Sequence, residues 1–156
     1  MTTRLPAPAR AIASAVSTAV ERVGDRDAEA FEAAATVLAG TDQAGLVQGA
    51  IVRMLLEELH PDGLDGDDVQ VVLERCTRTS AQWLPDVDPH VLLVLLASAL
   101  GVYDPDSDES PPPPGALARH APLLVADLLA ARKAPVDRYL TTAFAEIARA
   151  ETMESP

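Results

Sequence analysis

The sequence predicts an all-α fold, a single-domain bundle of six or seven helices with two central apolar helices. Apolar residues recur every three or four positions along almost the whole chain, and the alternation typical of a half-buried strand is nowhere sustained. The chain has 156 residues, 48% of them hydrophobic. A single domain of this size removes roughly 70% of its unfolded surface from water, so a substantial core is expected.

The first two helices are predicted to form a hairpin. We expect residues 1–7 to be a flexible N-terminus and residues 8–153 to form the bundle, with a first helix over about 8–23. A second helix begins after Asp27, whose side chain is suited to cap it, and ends before Gly40, since glycine readily adopts a left-handed helix terminus.

The third and fifth helices are predicted to be the central pair. Asp42 can cap a third helix that runs to about Leu59 and is apolar around most of its circumference. Asp88 followed by Pro89 marks the start of the fifth helix, because the two residues favour the cap and the first helical position. The fifth helix ends at Gly101 and is apolar on all sides, which is typical of a buried helix.

The remaining helices are expected to flank this pair. A fourth covers about residues 67–83. Residues 103–115 are predicted to form an exposed acidic and proline-rich loop, because consecutive prolines favour an extended conformation and exclude a helix. A sixth helix follows to about Lys133, interrupted or restarted at Pro122, and Pro135 opens a seventh that pairs antiparallel with the sixth.

The charge distribution excludes some classes of partner. The chain has 24 acidic against 12 basic residues, a formal charge of −12, and its basic residues are scattered singly. Nucleic acids and anionic membranes bind clusters of lysine and arginine, so we expect neither as a partner. The longest apolar run, Val91–Ala97, is far shorter than the ~20 residues of a membrane-spanning helix. We expect a protein partner or self-association, as a homodimer.

Metal and thiol chemistry are not expected. Cys76 cannot form an internal disulfide, and its position on an apolar stripe predicts an inert buried thiol in a reducing, cytoplasmic compartment. Glu57 and His60 share a helix face and could bind one ion, but carboxylate metal sites in bundles need a second such pair. Arg53, four residues before Glu57, predicts a surface ion pair instead. We expect no metal and no cofactor.

Two sets of residues are candidates for a site. Trp83 and His90 lie on either side of the turn before the fifth helix, where a bundle can leave the mouth of a ligand cleft. Arg53, Glu57 and His60 form a polar strip on the third helix. No arrangement of nucleophile and base and no phosphate loop is recognisable, so no catalytic residue is predicted.

A further pair, His90 and Tyr103, stands near opposite ends of the fifth helix. The two residues are about 13 positions apart, so roughly 20 Å of helix would separate them. We therefore expect that they cannot both line one small pocket from that helix alone.

These observations favour a binding protein over an enzyme. We expect a small acidic helical protein that acts as a non-catalytic protein–protein interaction module and self-associates through an Ala/Leu/Val face. The alternative is a bundle that encloses a hydrophobic small molecule between its third, fifth and sixth helices. An enzyme with an unrecognised site is the third possibility, and the polar strip on the third helix is where it would be tested first.

Overall fold

The computed structural model describes residues 7–154, which form seven α-helices and no strand. The helices are α1 (Ala7–Asp25), α2 (Ala28–Ala39), α3 (Ala44–Leu59), α4 (Gly66–Ala81), α5 (Pro89–Ala99), α6 (Pro114–Arg132) and α7 (Val136–Glu154), with a short 3-10 turn at Pro105–Ser107. The predicted all-α bundle is confirmed. The expected flexible N-terminus lies outside the described residues except for Ala7, with which α1 begins. None of the described helices combines the length and the apolar character needed to cross a bilayer.

The helices α3 and α6 form the centre of the bundle. They make the most extensive helix–helix contact of the described chain, and α6 also packs against α1, α2, α4 and α5. The prediction that α3 is central is confirmed, but the second central helix is α6 rather than α5. Helix α6 has eight buried residues and α5 has four, and Leu93 of α5 is exposed, so α5 is covered on fewer sides than α6. Helices α1 and α2 form the predicted hairpin, joined by two residues.

The last helix, α7, packs mainly on α3 and α1 and does not form the antiparallel pair with α6 that the sequence suggested. Its buried residues are Tyr139, Leu140 and Ala143. Five other helices already cover α6, so the apolar face of α7 finds its partner surface on α3. Three polar contacts join it to α3 or to the residue before it: an ion pair between Arg53 and Glu146, a 2.8 Å hydrogen bond donated by the Tyr139 hydroxyl to Glu58, and a 3.2 Å hydrogen bond donated by Gln43 to Glu151.

Aspartates begin four helical segments. The carboxylates of Asp27, Asp65, Asp88 and Asp104 each accept a hydrogen bond from a backbone N–H in the following turn. Asp65 also forms a reciprocal capping box with Asp68 at the start of α4. Because helix N-termini favour negative charge, these positions accommodate part of the acidic excess. The caps at Asp27 and Asp88 were predicted from the sequence.

Three predicted details are wrong. The residue before α3 is Gln43, which has a φ of +66° and makes no side-chain capping bond, so Asp42 is not the cap. Gly40 ends α2 with a φ of −93° rather than a left-handed conformation. Pro122 lies inside a continuous α6. A proline in a helix interior costs about 3 kcal/mol, but Pro122 is buried at the centre of the bundle, where packing from several sides keeps the helix intact.

His120 fastens the turn before α5 to the central helix. The backbone N–H of Asp88 donates to Nε2 of the buried His120 ring at 3.1 Å, so the ring proton resides on Nδ1 and is donated to the Ala116 carbonyl at 2.8 Å. Burial lowers the pKa of His120 from its ordinary 6.5. Protonation of Nε2 would also turn the acceptor for Asp88 into a donor.

We predict that His120 makes the protein less stable in mild acid. As the pH falls below 6.5, the unfolded chain binds a proton at this ring while the folded chain does not, so the free energy of unfolding decreases. Urea denaturation of the wild type and of H120Q, at about pH 7.5 and again at about pH 5.5, measures this loss above the range in which most carboxyls titrate. A loss of equal size in H120Q would contradict the prediction, since glutamine accepts a hydrogen bond but does not titrate.

Gln48 is a buried polar residue on the central helix α3. Its side chain is 1% exposed, and neither its amide nitrogen nor its amide oxygen has a hydrogen-bond partner among the described residues. It lies on the same face of α3 as the core residues Ile51 and Leu55. An amide in such a position loses its hydration without compensation.

We predict that Gln48→Met stabilises the protein by about 1–2 kcal/mol, because methionine fills a similar volume without an unpaired polar group. Urea denaturation measures the difference. The control is Gln70→Met on the exposed surface of α4, which should change the stability by less than about 0.5 kcal/mol. If Q48M is less stable than the wild type, the buried amide has a partner such as an internal water.

Candidate functional site

An apolar groove of about 560 Å³ opens between the end of α2, α3, α5 and the start of α6. Its lining consists of Leu38, Ala39, Thr41, Gly45, Leu46, Gly49, Ala50, Arg53, Leu95, Ser98, Ala99, Pro114, Leu117, Ala118 and Ala121. Arg53 is the charged residue of this set, and its guanidinium is bound by Glu57 at 3.2 Å and by Glu146 of α7. The groove is therefore an apolar surface on which the one cation is already neutralised.

The α3 side of the groove carries a protruding leucine beside two glycines. Leu46 is 63% exposed, and it stands between Gly45 and Gly49 on the helix surface that lines the groove. A Cβ atom at either glycine would meet no neighbour within 4 Å, so packing within the chain does not require glycine at these positions. Glycine in a helix interior is about 1 kcal/mol less favourable than alanine, so Gly49 lowers the stability of α3.

Two of the three residues of the predicted polar strip on α3 are in contact with each other. The ion pair between Arg53 and Glu57, expected from their spacing, is present, and the additional bond to Glu146 comes from a helix that spacing could not indicate. His60 lies just past the end of α3, and its Nδ1 is 3.1 Å from the Leu56 carbonyl oxygen. No group of three or more potential metal-binding side chains occurs in the described part of the chain.

Trp83 lies between α1, α4 and α6. Its ring packs edge-on against Phe31, with the ring centroids 5.4 Å apart and the planes at 89°. It lines a pocket of about 400 Å³, and His90 lines a different one. Cys76 lies in the same pocket as Trp83, and its burial raises the pKa of the thiol to about 12. The thiol is therefore protonated at neutral pH and is a poor nucleophile.

His90 and Tyr103 line one pocket although they stand near opposite ends of α5, since Tyr103 reaches it from the loop rather than from the helix. The loop after α5 folds back along the helix, and its Asp108 joins the two residues. Oδ2 of Asp108 accepts a hydrogen bond from the Tyr103 hydroxyl at 2.9 Å and lies 3.0 Å from Nε2 of His90. Oδ1 accepts from the Ser110 amide at 2.9 Å. The Ser110 amide and the Tyr103 hydroxyl lower the pKa of the Asp108 carboxyl.

We predict that Asp108→Ala releases the loop after α5 without disturbing the bundle. Hydrogen–deuterium exchange should become faster at Ser110 and its neighbours, because three donors lose their common acceptor, while exchange inside α5 stays unchanged. The matched control is Asp106→Ala, an exposed aspartate of the same loop. If D106A accelerates exchange as much as D108A does, Asp108 has no special role in holding the loop.

Leu46 was not among the predicted site residues, although the alternative function placed a hydrophobic ligand between the third, fifth and sixth helices, which are three of the four helices around the groove. One signal was available, since Leu46 is seven residues before Arg53 and so shares its strip of the helix surface. A large apolar residue on an otherwise polar strip indicates an exposed contact surface. The other walls of the groove come from α2, α5 and α6, and no local pattern brings them together.

In comparisons with protein-family models, curated proteins and solved structures, the chain matches none. The α3 groove and the pocket beside α5 are the features from which a function can be proposed.

Proposed function

We propose that the protein is a non-catalytic interaction module that forms a homodimer through the α3 groove. The observation that carries the proposal is a protruding leucine beside an open hollow on one apolar surface. Leu46 protrudes from α3, and beside it Gly45, Gly49 and Ala50 form a hollow that is open down to the helix backbone. In a two-fold dimer each Leu46 would enter the hollow of the other copy, since such an interface uses the same patch on both subunits.

Charge supports a second copy as the occupant of the groove. Two molecules that each carry −12 repel each other, and carboxylates facing one another across an interface would add to that repulsion. The groove lining contains no acidic residue, and Arg53 is neutralised within its own protomer. Two copies can therefore meet at this face without placing like charges in contact.

We predict that Leu46→Asp converts the dimer into a monomer. Two leucines would lose their burial and two carboxylates would enter an apolar interface, which should weaken association by at least about a hundred-fold. Sedimentation equilibrium measures the mass, which we expect to be twice that of the chain for the wild type and that of one chain for L46D.

Val71→Asp is the matched control for this experiment. Val71 lies on α4 outside the groove lining and is 58% exposed, which is close to the 63% of Leu46. V71D should remain a dimer. A monomeric wild type at high protein concentration, or equal dissociation of L46D and V71D, would contradict the proposal.

A second candidate is the binding of a hydrophobic small molecule in the same groove. The groove volume of about 560 Å³ favours it, because ligand pockets commonly measure about 300–1,000 Å³. Native mass spectrometry of gently purified protein distinguishes the two candidates. A bound ligand would add a reproducible excess mass that is lost on denaturation, whereas the homodimer gives twice the chain mass without an excess.

A further inference from the structure

A second pocket, separate from the α3 groove, lies between the outer face of α5 and the loop that follows it. It measures about 780 Å³, and its floor is formed by apolar residues of α5 together with Val102. Leu93 is 40% exposed and Val102 is 72% exposed there. Large apolar side chains that remain open to solvent around one concave surface are typical of an interaction site.

The rim of this pocket is acidic. Asp104 and Glu109 line it and are exposed, and neither forms an ion pair with a described residue. The Asp104 carboxylate accepts bonds from the Asp106 amide at 3.0 Å and the Ser107 hydroxyl at 2.8 Å, which orient it without a counter-charge. The pocket lining contains no lysine or arginine.

The loop wall of the pocket is held in place before anything binds. Asp108 accepts hydrogen bonds from Tyr103 and the Ser110 amide within the loop and lies 3.0 Å from Nε2 of His90, so this side chain joins the loop to the first turn of α5. A preformed wall reduces the ordering entropy that binding would otherwise cost.

We propose that this pocket binds a basic amphipathic segment of a partner protein, with the apolar side chains of the segment on the α5 floor and its lysines or arginines against Asp104 and Glu109. Charge complementarity selects this occupant. A second copy of the chain carries the same acidic excess, so its approach to this rim is unfavourable, whereas a cationic segment is attracted by the rim and by the net charge of −12. The site is independent of the α3 groove.

The test uses a short fluorescein-labelled helical peptide of leucine, alanine and lysine, titrated with the full chain and followed by fluorescence anisotropy. We expect the double variant D104N/E109Q to bind it about ten-fold more weakly, since it loses two attractive rim charges. Asparagine and glutamine keep the shapes of the side chains and the acceptor for the Asp106 amide. The peptide with serine for leucine and the peptide with glutamate for lysine should both bind much more weakly to the wild type.

The control is E29Q/D62N, which removes the same charge from the start of α2 and from the α3–α4 loop. It should bind the lysine peptide within about two-fold of the wild type, because neither residue lines the pocket. An equal loss in E29Q/D62N and D104N/E109Q would overturn the proposal, since it would show attraction by net charge alone. Equal binding of the glutamate and lysine peptides would overturn it too. The L46D variant should bind the lysine peptide like the wild type, which separates this site from the dimer.

Discussion

Every other described helix packs against α3 or α6, so the contact between these two helices determines where the rest of the chain can lie. Because α6 is surrounded by other helices, its polar side chains lie where it contacts them, and each needs a hydrogen-bond or ion-pair partner there. Those partners come from four different segments: Glu32 and Asp86 for Arg119, the Asp88 amide for His120, Arg75 for Asp127, and Glu58 for Arg132. Four of the scattered arginines, Arg53, Arg75, Arg119 and Arg132, thus link helices through ion pairs.

The carboxylates have different surroundings in different parts of the molecule. Aspartates at helix starts are stabilised by backbone N–H groups, and other carboxylates pair with the linking arginines. The two concave surfaces differ in the number of carboxylates that line them. The α3 groove contains none, whereas the pocket beside α5 is rimmed by Asp104 and Glu109. One surface is therefore suited to a copy of the same acidic protein and the other to a partner of opposite charge.

Local signals predicted the helices well, because a cap or a helix-breaking residue acts within a few positions. Asp27, and Asp88 with Pro89, start the expected helices, and spacing alone gave the ion pair of Arg53 and Glu57. Contacts between distant segments were not predictable in this way. The burial of α6, the bond from Arg53 to Glu146 and the role of Asp108 all depend on residues far apart in sequence. The faces of α3, α5 and α6 were predicted to enclose a ligand, but no local pattern indicated that Leu46 protrudes where they meet.

The amino-acid composition of the two central helices bears on how the protein unfolds. Gly49 and Gln48, whose amide has no partner among the described residues, weaken α3, and Pro122 removes one backbone donor from the continuous helix α6, so packing against neighbouring helices contributes to the order of both. Melting of either one removes the surface on which its neighbours rest. We therefore expect the bundle to unfold as a single cooperative unit, so that proteolysis of its core requires global unfolding.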